Sequence, residues 1–154
     1  MKKIILFLAV LVCLQADEGV SKVVFDLTTG SLEVFEKKLL KGIAAHKTHY
    51  EGNLQELDVA VVIHGGAYRF FVKDIKTSPY SNDKQLVEAY EMLKQRISSM
   101  AENYDVDFLM CKAALKREKL EVEDIAGFVT MVPNAAIGLI DKQNEGYAYV
   151  PIHK

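Results

Sequence analysis

Cysteine, proline and surplus basic charge are all scarce in this sequence. There are two cysteines and three prolines among 154 residues. Cys13 falls in a leader expected to be removed, which leaves Cys111 alone and excludes an internal disulfide framework. A chain that is 50% hydrophobic with so little proline is not a disordered one. Nineteen basic residues stand against 21 acidic ones, a formal net charge of −2. That balance argues against a nucleic-acid binder. The fingerprints GxGxxG and GxxxxGK[ST] are both absent, so no nucleotide motif is present. No nucleophile–His–carboxylate set can be assembled from local sequence, which leaves a hydrolase or oxidoreductase least supported.

The one long apolar run is N-terminal. Met1-Lys2-Lys3 precedes Ile4 to Cys13, and Leu14-Gln15-Ala16 leads to Asp17. A basic start, a short apolar core and a small residue form a cleavable secretory signal. The run is about half the length that a membrane-spanning helix needs. Residues 1–16 are therefore read as a signal peptide and 17–154 as one domain, placed in the periplasm. Lipidation at Cys13 is the rival reading, but bulky Val12 stands where such signals place a small residue.

Strand and helix patterns then alternate. Val20 to Leu27, Asp58 to His64, Val106 to Cys111, Phe128 to Val132 and Tyr147 to Ile152 read as strands. Leu32, Phe35, Leu39 and Ile43 recur at helical spacing, as do Leu86, Tyr90, Leu93, Ile97 and Met100. The second of these helices is expected to start at an Asn82 cap. Short helices are expected over Tyr68 to Asp74 and Lys112 to Lys119, and another opened by Pro133 or Asn134 and ended by Gly146. Five strands with intervening helices make an α/β fold, a three-layer sandwich around a mostly parallel sheet. The strand order is not readable from the pattern.

Ligands of open α/β sheets bind beyond the carboxyl ends of the strands. Asp26 with Thr28-Thr29, His64-Gly65-Gly66, Cys111-Lys112 and Pro133-Asn134 all fall at such ends, on one rim if the strands are parallel. Cys111 would sit at the first turn of a helix beside Lys112, and both favour the nucleophilic thiolate. A buried, inert cysteine finishing an apolar strand is the alternative. His64 can give or take a proton near neutrality. The amides of Gly65 and Gly66 can approach an anion, with Asn134 on the same rim, although a glycine pair is also a plain tight turn. His46 and His49 lie three apart but lack the further ligands of a zinc site. Phe70-Phe71 and the Tyr147/Tyr149 strand are candidate interface aromatics or interior ones.

Three stretches carry a resemblance: LDVAVVIHGGAYRFF, VDFLMCKAALKREKLEVEDI and FVTMVPNAAIGLIDKQNEGYAYVPI. With them the chain from Lys22 to Ile152 resembles the DsrE/DsrF-like family, as an exported stand-alone member. The resemblance implies a flavodoxin-like α/β sandwich that assembles into trimers or hexamers, and no metal or organic cofactor. Sulfur-relay members carry sulfane sulfur as a persulfide on a strand-end cysteine followed by a segment like C-x-A-A-L-x-R, and Cys111 matches that position. The partners implied are a small sulfur-containing anion or a persulfide donor or acceptor protein. Glu118 departs from the pattern, standing where many relatives have glycine.

Overall fold

The computed structural model describes residues 20–153. The signal-peptide expectation falls on residues outside that range. All five strands form where hydrophobic patterning put them: β1 (Ser21–Leu27), β2 (Leu57–Ile63), β3 (Val106–Cys111), β4 (Thr130–Val132) and β5 (Ala148–Ile152). Every pairing is parallel, and the order is β4-β3-β2-β1-β5. The chain thus steps outward from β1 to β4, then returns to lay β5 on the bare side of β1.

A right-handed crossover puts its helix on a face set by the direction of travel. The three outward steps cover one face, and the single return step covers the other. Helix cover on the first face runs unbroken from Leu32 to Gly52. It comprises α1 (Leu32–Val34), a π-helical stretch (Phe35–Leu40) and α2 (Lys41–Gly52), joined on that face by α3 (Lys84–Asn103). Among the described residues, only α4 (Ala135–Asn144) covers the second face.

The two cores differ accordingly. On the first face Val23, Phe25, Leu27, Val59, Val61 and Ile63 pack with Phe35, Leu39 and Ile43 and with the α3 stripe Leu86, Tyr90, Leu93, Ile97 and Met100. Phe35 lies at the centre, its ring stacked on Phe70 with 4.2 Å between centroids. Phe70 and Phe71 are interior, not interface, aromatics. On the second face only Val24, Ala60 and Val62 are fully covered, under Ala135 and Leu139 of α4. Ile137, Ile140 and Tyr149 stay exposed there.

Three local expectations need correction. Asp83, not Asn82, caps α3, its carboxylate accepting from the amide of Leu86 at 3.1 Å. A carboxylate one residue nearer the first turn satisfies the free amides there as well as an amide oxygen does. Tyr68 to Asp74 is not a helix: a 3-10 turn covers Gly65–Phe70, and Val72 then bridges to Ile125. The helix expected over Lys112 to Lys119 is one 3-10 turn, Lys112–Ala114, followed by turns. Lys119 adopts φ 56, a left-handed conformation that ends helical winding, and Ala113 donates to Pro133 O of the next strand end instead.

Candidate functional site

Parallel pairing brings the carboxyl ends of all five strands to one edge. From β4 to β5 that rim carries Asn134, Cys111, His64, Asp26 and the Tyr149–His153 segment. Its chemistry is set by what each side chain already touches.

Asp26 is the buried charged residue of β1, only 7% exposed among apolar neighbours. Burying an unpaired carboxylate is costly, so its oxygens must find donors. His64 Nε2 lies 2.6 Å from Oδ1, and the Tyr149 hydroxyl donates to Oδ2 at 2.7 Å. The carboxylate in turn pushes the Tyr149 hydroxyl up from its ordinary pKa, since it both accepts the phenolic proton and repels a phenolate. Beside this set, Thr28 Oγ1 lies 2.7 Å from His153 Nδ1. His64 remains partly open to solvent.

Cys111 ends β3 at 6% exposure, grouped with Tyr68, Ala114 and Leu115 in the larger core. The Tyr68 hydroxyl donates to the Cys111 carbonyl at 2.6 Å. Burial first, and then the hydrogen bond and charge of the Cys111 side chain beside it, hold the Tyr68 hydroxyl well above its ordinary range. Glu118 pushes the same way and Arg117 opposes it. Tyr80 is pushed up to about 12, by burial and then by Glu118, while Arg69 opposes the shift. Glu118, the residue that departs from the family pattern, therefore lies near both phenols, of which Tyr68 stands beside Cys111. Lys112 is exposed.

The glycine pair serves packing. Gly66 donates its amide to Thr28 O at 2.9 Å, and a Cβ there would come within 2.8 Å of Gly30 N. Gly65 has φ 60, a conformation suited to glycine. The two residues lock the end of β2 against the loop after β1, and the Gly66 amide is not free for an anion. Asn134 caps α4, its Oδ1 accepting from the amide of Ile137 at 2.9 Å. His46 and His49 are exposed on α2. Among the described residues no group of three or more His, Cys, Asp or Glu is placed to hold a metal ion.

Of the residues singled out in the sequence, the structure brings His64 to Asp26 and leaves Lys112 apart. Sequence reasoning missed Tyr68, Tyr149 and the pairing of Asp26. Tyr68 and Tyr149 carry no spacing signal, but a lone Asp in VSKVVFDL is a buried charge in search of a partner. A surface hollow of about 560 Å³ lies between Val72–Pro79 and Lys119–Asp124 and includes neither Cys111 nor His64.

Comparison with known proteins places this chain in a family. An uncharacterized protein of Aquifex aeolicus is 32% identical over 152 residues, 98% of this chain. The chain spans 64% of that relative's length. The solved structure of MTH1491, a protein of unknown function from Methanobacterium thermoautotrophicum, superposes with a TM-score of 0.59 at 20% identity. The match covers 85% of this chain and 98% of that one, and it shows a shared fold. The model of the DsrE/DsrF-like family matches residues 22–152, a stretch that holds all five strands but for Ser21, and every rim residue except His153. The chain belongs to the DsrE/DsrF-like family.

Proposed function

We propose that this protein is a sulfur carrier of the sulfur-relay type, holding sulfane sulfur as a persulfide on Cys111. The observation that carries the reading is the place of the Cys111 thiol. It ends a central parallel strand, between β2 and β4, where the connection from β3 stays on one face and that from β4 crosses to the other. In open α/β sheets that divergence is where ligands bind. Family membership and the match of Cys111-Lys112-Ala113-Ala114-Leu115-Lys116-Arg117 to the relay pattern point the same way. Transfer is thiol exchange through a thiolate, with no organic cofactor.

The test is mass spectrometry of the purified protein after incubation with polysulfide. The wild type gains the mass of one sulfur, reversed by a thiol reductant, and Cys111→Ser gains none. A wild type that gains no more than Cys111→Ser removes the reading.

A second reading is favoured by the 6% exposure of Cys111. On it the thiol is packing, and the rim is a non-catalytic module for a small anion or a partner protein. Alkylation by a bulky reagent separates the two. Protection until denaturation supports the packed thiol, whereas labelling of the native protein supports the carrier.

The remaining parts of the proposal are location and assembly. Export with cleavage after Ala16 gives a periplasmic protein whose first residue is Asp17, which N-terminal sequencing of the natural protein reads directly. Assembly into a trimer or hexamer is supported by the exposed apolar side chains of Ile137, Ile140 and Tyr149 on the thinly covered face. Light scattering measures it.

A further inference from the structure

Tyr68 is the polar neighbour of the Cys111 thiol, and its place follows from the glycine pair. With the Gly66 amide bonded to Thr28 O, the chain leaving β2 winds at once into the 3-10 turn Gly65–Phe70. That turn brings Tyr68, fully buried, to the end of β3, 43 residues further along the chain. There its hydroxyl donates to the Cys111 carbonyl at 2.6 Å. The Cys111 side chain also lies within hydrogen-bonding reach of the same hydroxyl.

The chemistry of a carried sulfur gives this contact a purpose. A persulfide is a stronger acid than the thiol it forms from, so loading Cys111 puts negative charge on the outer sulfur. At 6% exposure such a charge needs a protein donor in place of water. Other donors near the strand end are committed elsewhere. Lys112 is exposed, the Gly66 amide is bonded to Thr28 O, and the Ala113 amide donates to Pro133 O. The Tyr68 hydroxyl stands beside the sulfur. Burial first, and then Cys111 itself, hold it above its ordinary pKa, so it keeps its proton through the neutral range. It can donate to sulfur but cannot serve as a base. Glu118 and Arg117 bear on it with opposite sign from the turns after β3.

We propose that the Tyr68 hydroxyl is the donor that holds the outer sulfur on Cys111 and so favours the loaded, anionic form, Cys111–S–S⁻. This deepens the carrier reading and rests on it. In loading, the Cys111 sulfur attacks the outer sulfur of a donor persulfide, R–S–SH. A new sulfur–sulfur bond forms and the donor S–S bond breaks. Its electron pair leaves on the R–S sulfur, which takes the proton that Cys111 gives up. One sulfur moves with no net oxidation. The new persulfide then releases its own proton to solvent, and the Tyr68 O–H turns from the carbonyl toward the charge. Transfer to an acceptor thiol runs the same exchange in reverse.

The experiment measures two exchange equilibria at neutral pH by intact-mass spectrometry of the full chain, wild type against Tyr68→Phe. Glutathione persulfide over glutathione sets the loading of Cys111 with sulfur. The methyl mixed disulfide of glutathione over glutathione sets its loading with a methylthio group, which takes the same place without charge. Cys111→Ser is the blank. Tyr68→Phe should lower the first equilibrium constant roughly tenfold, the worth of one hydrogen bond to an anion, and leave the second unchanged. Equal sulfur loading of the two proteins overturns the proposal. So does an equal fall in both equilibria, which makes Tyr68 a packing residue only. If Tyr68→Phe does not fold, the phenolic carbon resonance of Tyr68 in the wild type decides. It should shift further when Cys111 takes sulfur than when it takes methylthio, and shifts of equal size overturn the proposal. A wild type that takes up no sulfur removes the carrier and this role with it. Sulfur uptake indifferent to Tyr68→Phe removes the role and keeps the carrier.

Discussion

Replacing Gly66 by alanine would put a methyl group where the loop after β1 already stands. Its Cβ would lie 2.8 Å from Gly30 N and 2.9 Å from Gly30 Cα. Both are backbone atoms, so no rotamer change can make room. Forcing extra volume into a close-packed contact costs about 1–3 kcal/mol. The loops can part only by stretching the 2.9 Å bond from the Gly66 amide to Thr28 O, a further loss of about 0.5–1.5 kcal/mol. We expect Gly66→Ala to be about 2–4 kcal/mol less stable than wild type, a large share of a typical domain's 5–15 kcal/mol. Gly42 is the internal control. It lies inside α2 with nothing within 4 Å of its would-be Cβ, so Gly42→Ala should gain up to about 1 kcal/mol. Urea denaturation followed by circular dichroism measures both on one scale. A Gly66→Ala protein as stable as wild type, or a Gly42→Ala protein clearly weaker, would refute the packing account of the glycine pair.

Phe35→Ala empties the centre of the larger core, where Phe35 is fully buried against Phe70, and should cost about 3–5 kcal/mol by the same urea titration. Asp83→Ala removes both the α3 cap and the 3.0 Å contact to Arg69. Thermal unfolding should show a loss of about 1–2 kcal/mol that Asp83→Asn, which keeps a capping oxygen, largely restores. Tyr90→Phe takes the donor from the buried Val72 carbonyl, a loss of about 1–3 kcal/mol at neutral pH. Burial raises the pKa of the Tyr90 hydroxyl from 10.0, so its stabilising effect is complete below that value and fades as pH rises past it. The deficit of Tyr90→Phe should therefore shrink between neutral and strongly alkaline denaturation series, and a deficit that widens would contradict the assignment.

Regular elements were legible because their periodicity is written in consecutive residues. DVAVVIH reads as a strand buried on both faces, and the stripe from Leu86 to Met100 reads as α3, because burial of those residues is what makes the elements. The π-helical stretch at Phe35–Leu40 left no trace, since one extra residue per turn still brings Phe35, Leu39 and Leu40 to the core. KAALKREK looked helical on intrinsic preference alone. A bond to Pro133 O and the left-handed Lys119 overrode that preference. At the rim, Cys111, His64 and Asn134 were visible as strand-end residues. Their relation was not, because the pairing of Asp26 with His64 depends on a strand order that no local pattern encodes.

The order β4-β3-β2-β1-β5 also has a consequence for how the molecule comes into being. During synthesis the outer flank of β1 has no neighbour until β5 has been made, because β5 follows the other four strands in the chain. Until then Asp26 lacks the Tyr149 hydroxyl and Thr28 lacks His153. A nascent or C-terminally clipped chain could build the thick aromatic side of the sheet and still hold its buried carboxylate half-satisfied. The chemistry of the rim is thus completed only after the other four strands have been made.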